Sequence, residues 1–155
     1  MTDVTVEGRL PRSLGLTRAQ VKAAAAYFAR RSSQRVGMPF RAVTVILQDD
    51  AFSAEVHAAI NGVEGPTDAV TQRYDAMPGE APGVYGEVYV NCDRALTAAP
   101  HRRGWSPARE LLLYVAHGMD HLSGADDLSP REYDAMRRRE LSWLKRLNHL
   151  GDFVL

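Results

Sequence analysis

Two histidines stand four residues apart in Tyr114-Val115-Ala116-His117-Gly118-Met119-Asp120-His121-Leu122-Ser123-Gly124-Ala125-Asp126-Asp127, and two carboxylates follow closely. On a helix, residues i and i+4 share a face one turn apart, so His117 and His121 can aim imidazole nitrogens at one point. Gly124 suits the left-handed position just past a helix C-terminus. A chain that turns there brings Asp126 or Asp127 back beside the imidazoles, and spacing alone leaves both open. Two neutral histidines and one carboxylate form a donor set that Zn²⁺ accepts, with a fourth position free for water. A bare His-x-x-x-His pair is more often incidental than metallic. The helix-ending glycine and the acidic pair set this one apart. Gly118 stands where a His-Glu-x-x-His peptidase has its general base, which disfavours peptidase chemistry.

The rest of the chain bounds the setting. Its 155 residues and 17.1 kDa suit a single domain, 1–155, large enough for a real core. Hydrophobic content of 45% and charged content of 25% are those of an ordinary soluble globular protein. Lys+Arg and Asp+Glu both number 19, so no long-range basic field exists and any nucleic-acid contact must come from a local patch. The single Cys92 excludes an internal disulfide framework. Met1 to Glu7 lacks the basic and apolar blocks of a signal peptide, and no apolar run is long enough for a bilayer. These features predict a cytoplasmic protein with no membrane partner.

The elements that must position the histidines can be traced in order. Val4 to Gly8 predicts a short strand. Thr17 and Gln20 form a capping box that opens a helix carrying Val21, Ala24, Ala25 and Phe28 on one face. Arg30, Arg31 and Arg35 at its end are read as partners of the negative helix terminus. Arg41 to Gln48 is a β-branched run that predicts a strand covered on both faces. Asp49-Asp50 opens a second helix, in which His57 reads as an exposed or hydrogen-bonded side chain. Ala69 to Tyr74 and Tyr85 to Asn91 predict two strands around a Pro/Gly-rich loop. Ser106-Pro107 begins the central helix and Ser129-Pro130 the last one. Tyr133, Met136, Glu140, Leu144 and Leu147 mark the apolar stripe of that last helix, widened by Leu141. Glu110 lies seven residues before His117, on the same face, where it can orient a histidine or serve the core edge. This order predicts an α+β fold: a small mixed four-stranded sheet with helices packed on it and a central, metal-bearing helix.

The segment His117 to Asp127 resembles the signature of the YbeY family of bacterial rRNA-maturation endoribonucleases, His-Gly-x-Leu-His-Leu-x-Gly-Tyr-Asp-His. Asp49-Asp50 after a strand, Pro66-Thr67-Asp68, Gly86-Glu87-Val88-Tyr89-Val90 and Glu110 also fall where the family has related residues. The resemblance implies a zinc-dependent hydrolase that cuts single-stranded RNA during ribosomal RNA maturation through a zinc-bound water. It implies one Zn²⁺ per chain on His117, His121 and Asp127, with Asp126 and Glu110 orienting ligands. The ribosome or its RNA, with a ribosomal protein, would be the partner, and no protein base is assigned.

Departures stand beside the likeness. The third histidine of the signature falls on Asp127 and its tyrosine on Ala125. Ile60-Asn61-Gly62 replaces a Tyr-Arg-Gly whose arginine is thought to serve the phosphate. Arg73 is the substitute considered for that contact, beside Thr67 and Asp68. Tyr74, Tyr85 and Arg137 to Arg139 are further candidates for an RNA groove. An anionic ligand would make the metal a weaker Lewis acid and loosen its preference for zinc. Two rivals remain: a non-catalytic ribosome-assembly or RNA-binding factor with a structural metal, and a metallohydrolase of another substrate.

Overall fold

A computed structural model describes residues 1–101, 103–148 and 153. Four strands, β1 (Asp3–Glu7), β2 (Phe40–Gln48), β3 (Ala69–Asp75) and β4 (Val84–Asn91), form one mixed sheet of order β1-β2-β4-β3. β1, β2 and β4 run parallel, and β3 closes the edge as the antiparallel partner of β4. The fold is α+β, as the order of elements predicts.

Five α-helices, α1 (Arg18–Val36), α2 (Asp50–Asn61), α3 (Cys92–Ala98), α4 (Pro107–Leu122) and α5 (Pro130–Leu147), and two single 3-10 turns, Arg12–Leu14 and Ala99–His101, complete the described structure. Side-chain caps set their starts. Thr17 Oγ1 accepts from the Gln20 N–H in a reciprocal box, Asp49 from Phe52, Ser106 from Arg109 and Ser129 from Glu132. The sequence reading has no counterpart for α3, although Asn91 caps it by accepting from the Arg94 N–H. Cys92, its first residue, is buried, and burial pushes its thiol up to about 11, so it stays neutral.

α4 runs through the middle of the domain, with β3 and β4 on one side and α1, α3 and α5 around it. Leu111, Leu112, Leu113, Val115, Ala116 and Met119 are all buried, the pattern of a helix covered on every side. Two glycines permit the close approach. A Cβ on Gly118 would lie 2.3 Å from Val88 Cγ1, and one on Gly86 would lie 2.6 Å from Leu122 Cδ1. The metal-motif glycine is thus a packing residue, which explains why no larger side chain follows His117.

Two expectations need correction. β2 is not covered on both faces: Val43, Val45 and Leu47 are buried, whereas Ala42, Thr44 and Ile46 are only half-buried. The reason is that Val45 pairs with Val88, which packs against Gly118 of α4, so this alternating set of side chains is covered while the residues between them face the other side of the sheet. On α5, Met136, Glu140, Leu144 and Leu147 are buried as expected and Trp143 is buried with them, but Tyr133 and Leu141 lie exposed at the rim of that stripe.

Candidate metal centre

The last turn of α4 decides the geometry. The Ala125 N–H reaches the Asp120 carbonyl at 3.3 Å and the Gly124 N–H the His121 carbonyl at 2.9 Å. With Gly124 at φ 96°, this is a Schellman turn. It throws the chain back over the helix end, as the sequence predicts, and so delivers the acidic pair to the histidines.

His117 and His121 present their Nε2 atoms to one another at 3.0 Å, and Asp127 Oδ2 lies 3.6 Å from the first and 3.7 Å from the second. Donor atoms on a tetrahedral zinc, with bonds of about 2.0–2.1 Å, sit roughly 3.4 Å apart. The three atoms therefore already stand at metal spacing. Of the two aspartates that spacing left open, Asp127 is the one in place. Asp126 is exposed, and its Oδ1 accepts the Asp127 N–H at 2.9 Å, which holds the backbone of the ligand position.

The other ring nitrogens fix the tautomers. His121 Nδ1 faces the Ala125 carbonyl at 3.1 Å, so it must donate. His117 Nδ1 faces Glu140 Oε2 at 2.9 Å and donates to that carboxylate. Both Nε2 lone pairs are then aimed into the space that Asp127 closes. Such an array is satisfied by a cation, and the residues present fit a divalent metal. The side chains keep 15%, 26% and 31% of their surface exposed, which leaves one side open to solvent.

Glu140 is the site residue that the sequence hides, because it lies within an apolar stripe. It is fully buried, and its second oxygen has no hydrogen-bond partner among the described residues. Burial works against a charged His117, but the Glu140 hydrogen bond and charge outweigh it and raise the imidazole pKa. Burial likewise pushes the Glu140 carboxyl up, against the pull of His117.

Glu110 does not take the orienting role. Seven residues along a helix is roughly 10.5 Å. Glu110 Oε1 instead accepts the Trp105 indole N–H at 2.8 Å, and the carboxylate on His117 belongs to α5. Thr67 is fixed by its backbone, which exchanges hydrogen bonds with Ser53 Oγ at 3.0 and 3.1 Å. Asp68 Oδ1 accepts from the Ala69 N–H at 2.7 Å, and its charge helps raise the His117 pKa. Arg73 projects on the α4 side of the sheet, donating to the Leu122 carbonyl at 3.0 Å and to Asp75 at 3.0 Å. Its guanidinium lies 3.9 Å from where a Gly124 Cβ would be.

Strand register separates the remaining candidates. Tyr74 pairs with Tyr85, and Arg73 with Gly86, so the two tyrosines point away from the face that packs on α4. Tyr74 donates to Glu87 at 2.8 Å on that far face, and neither tyrosine belongs to the centre. The Arg137–Arg139 run also divides. Arg137 lies over the Tyr133 ring and 4.0 Å from Glu140, Arg138 is not buried, and Arg139 forks around Asp120. His57 hydrogen-bonds the Gly65 carbonyl at 2.9 Å, remote from the motif.

With this geometry in view, the comparisons are specific. The family model for Endoribonuclease YbeY matches residues 14–148. The chain belongs to the YbeY family. A relative named Endoribonuclease YbeY from Rhodopirellula baltica is 36% identical over 104 residues, covering 66% of this chain and 52% of the relative. One from Kineococcus radiotolerans is 32% identical over 124 residues, covering 74% and 71%. One from Micrococcus luteus is 41% identical over 100 residues, covering 61% and 62%. The matched segment thus spans about half the length of the first of these relatives. The solution structure of TM1509 from Thermotoga maritima superposes with a TM-score of 0.58 over 95% of this chain and 89% of that one, at 21% identity, a likeness of fold. Against the YbeY signature, Asp127 replaces a histidine, and the fully buried Asp120 stands where the signature has leucine.

Proposed function

We infer that this chain is a metal-dependent endoribonuclease of ribosomal RNA maturation, a single hydrolase domain over residues 1–155 that holds one Zn²⁺ on His117, His121 and Asp127. The observation that carries the reading is the pair of Nε2 lone pairs, 3.0 Å apart, facing a carboxylate with both Nδ1 atoms already committed as donors. A bound divalent cation supplies a Lewis acid for a phosphoryl oxygen and acidifies its water. The chain's own residues do the rest. Glu140 and the Ala125 carbonyl keep both imidazoles in the tautomer that binds metal. Arg73, at the turn beside the motif, has N–H groups left over for a phosphate and is our candidate for the contact that Asn61 cannot make. Thr67 and Asp68 line the approach from β3. The substrate is single-stranded RNA of the ribosome, in the cytoplasm, with a ribosomal protein as a further partner.

One observation favours a second reading, a non-catalytic assembly factor with a structural metal. Asn61 stands where the family arginine belongs, exposed at the end of α2. The experiment is metal content of protein purified without added metal, for wild type, His121→Ala and Asp127→Ala, followed by RNA cleavage. About one zinc per chain, lost in both variants together with cleavage, supports the enzyme. Metal with no cleavage of any RNA supports the assembly factor. Absence of metal even after zinc is supplied refutes both.

A further inference from the structure

Asp120 is the anomalous residue of the metal-bearing helix. A carboxylate with no exposed surface occupies a position where the YbeY signature has leucine. Arg139 grips it through contacts of 2.9, 3.1 and 2.9 Å. Arg35 approaches its Oδ1 at 3.6 Å and donates to Ser123 Oγ at 2.6 Å. A buried ion pair is a poor substitute for leucine as a source of stability. What it does accomplish is to hold two guanidiniums, from α1 and α5, in fixed positions at one place.

That place is a groove. Arg31, Gln34 and Arg35 of α1 and Arg139, Ser142 and Trp143 of α5 line an open groove of about 380 Å³. Its floor is apolar, since Trp143 is buried and stacks on Phe28 at 6.2 Å between ring centres. Arg35 and Arg139 meet the one carboxylate there and Arg31 lines the same groove, so three guanidiniums stand against one partnering carboxylate among the described residues. Arg31 Nε is buried and has no hydrogen-bond partner among them. A buried donor without an acceptor is costly. Burial and the nearby Arg139 push the Arg35 guanidinium downward, as expected where cations crowd together. The missing component is an anion with several acceptor oxygens, and planar guanidinium forks match phosphate best.

The groove adjoins the metal centre. Asp120 precedes His121, and at 100° per residue it lies roughly 80° round α4 from the His117–His121 face. Arg35 holds Ser123, the residue that caps α4. We propose that the α1–α5 groove is a second phosphate site, one that takes a backbone phosphodiester of the RNA strand flanking the one presented to His117, His121 and Asp127. This rests on the endoribonuclease reading. The arginines of α1, which in sequence look like partners of a helix dipole, serve a strand instead.

The test is fluorescence anisotropy with a labelled single-stranded RNA and the metal-loaded protein, over a series of salt concentrations, with the RNA checked on a gel to be intact after each titration. Arg31→Gln is the informative variant, because Arg31 stands outside the Arg35–Asp120–Arg139 ion pair and its replacement leaves that pair in place. Arg35→Gln is the second variant, and Arg12→Gln is the control outside the groove. Each groove variant is expected to lose affinity about three- to tenfold and to lower the slope of log K against log salt by about 0.7, one phosphate contact on a single strand. The control should match wild type. Wild-type affinity and slope in both groove variants would overturn the groove while leaving the metal centre untouched. A wild-type protein that binds no RNA at all would overturn the endoribonuclease reading itself. Stabilisation of wild type by inorganic phosphate, lost in Arg31→Gln while RNA binding is unmoved, would assign the groove to a small anion and refute the strand contact.

Discussion

Glu140→Gln isolates the contribution of the buried carboxylate behind His117. The substitution keeps the shape and leaves an oxygen able to accept the Nδ1–H now held at 2.9 Å. It removes the charge that makes His117 a more basic ligand, and it turns the other terminus into an amide facing Arg137, which stands 4.0 Å from that oxygen. Loss of such an orienting carboxylate typically lowers metal affinity about 10- to 100-fold. Because glutamine preserves the hydrogen bond, the lower end applies, about tenfold or roughly 1.4 kcal/mol. The pH dependence should change as well. Burial alone would lower the His117 pKa, and Glu140 reverses that, so in wild type the imidazole is raised. In the metal-free protein a raised imidazole adds stability that is full below the unfolded pKa and fades as pH rises through the folded one. Metal binding runs the opposite way, since the proton must leave. Proton competition therefore begins at higher pH in wild type than in Glu140→Gln. Zinc affinity measured against a chromophoric chelator should be about tenfold weaker in the variant near pH 8, with the gap narrowing toward pH 6. Equal affinities near pH 8, or a gap that widens on acidification, would refute this account of Glu140.

Two further predictions concern packing around the same helix. Gly118→Ala places a methyl 2.3 Å from Val88 Cγ1 and should cost about 1–3 kcal/mol in thermal melts. Val88→Ala should recover part of that loss, and strict additivity of the two changes would refute the contact. Asp120→Leu restores the residue of the signature but strands two guanidiniums. Arg139 keeps 24% and Arg35 35% of its side chain exposed, so solvent reduces the penalty to about 2–3 kcal/mol in urea unfolding. Replacing Arg139 by leucine as well should regain stability, and a single variant as stable as wild type would refute the ion-pair argument.

What could be read in the sequence was local. The i, i+4 histidines, the glycine that reverses the chain and the caps of α1, α4 and α5 each depend on residues within one turn, where spacing translates directly into geometry. Spacing alone did not decide between Asp126 and Asp127, because that depends on the direction in which the chain leaves Gly124; the likeness to the signature pointed to Asp127. Glu140 escaped for a different reason. Its partner is 23 residues away on another helix, and a glutamate within an apolar stripe resembles a core-edge residue until the opposing helix is known. The weak signal was a carboxylate one turn after Met136 and three residues before Trp143, both of which are buried. The tyrosines failed on register, since Tyr74 and Arg73 are neighbours in sequence and lie on opposite faces of β3. Glu110 shares the face of His117 but stands about two turns away, where the Trp105 indole takes its carboxylate.

The two aspartates that depart from the signature around His121 follow one electrostatic rule. Asp127 puts a negative charge in place of a neutral ring at the open side of the centre, where a divalent cation can answer it. Asp120 puts a negative charge in place of leucine in the core, where only protein cations can reach. Arg139 and Arg35 answer that second charge and exceed it by one, and Arg31 adds another whose Nε has no partner among the described residues. A core that needed only to neutralise Asp120 would use one guanidinium. The surplus marks α1 and α5 as a surface that carries positive charge outward, in a chain whose total charge is zero. On the proposed function, with no field from the whole molecule to draw in RNA, affinity would come from such local concentrations of arginine. The stability forgone at Asp120 is then explained by where its arginines are held.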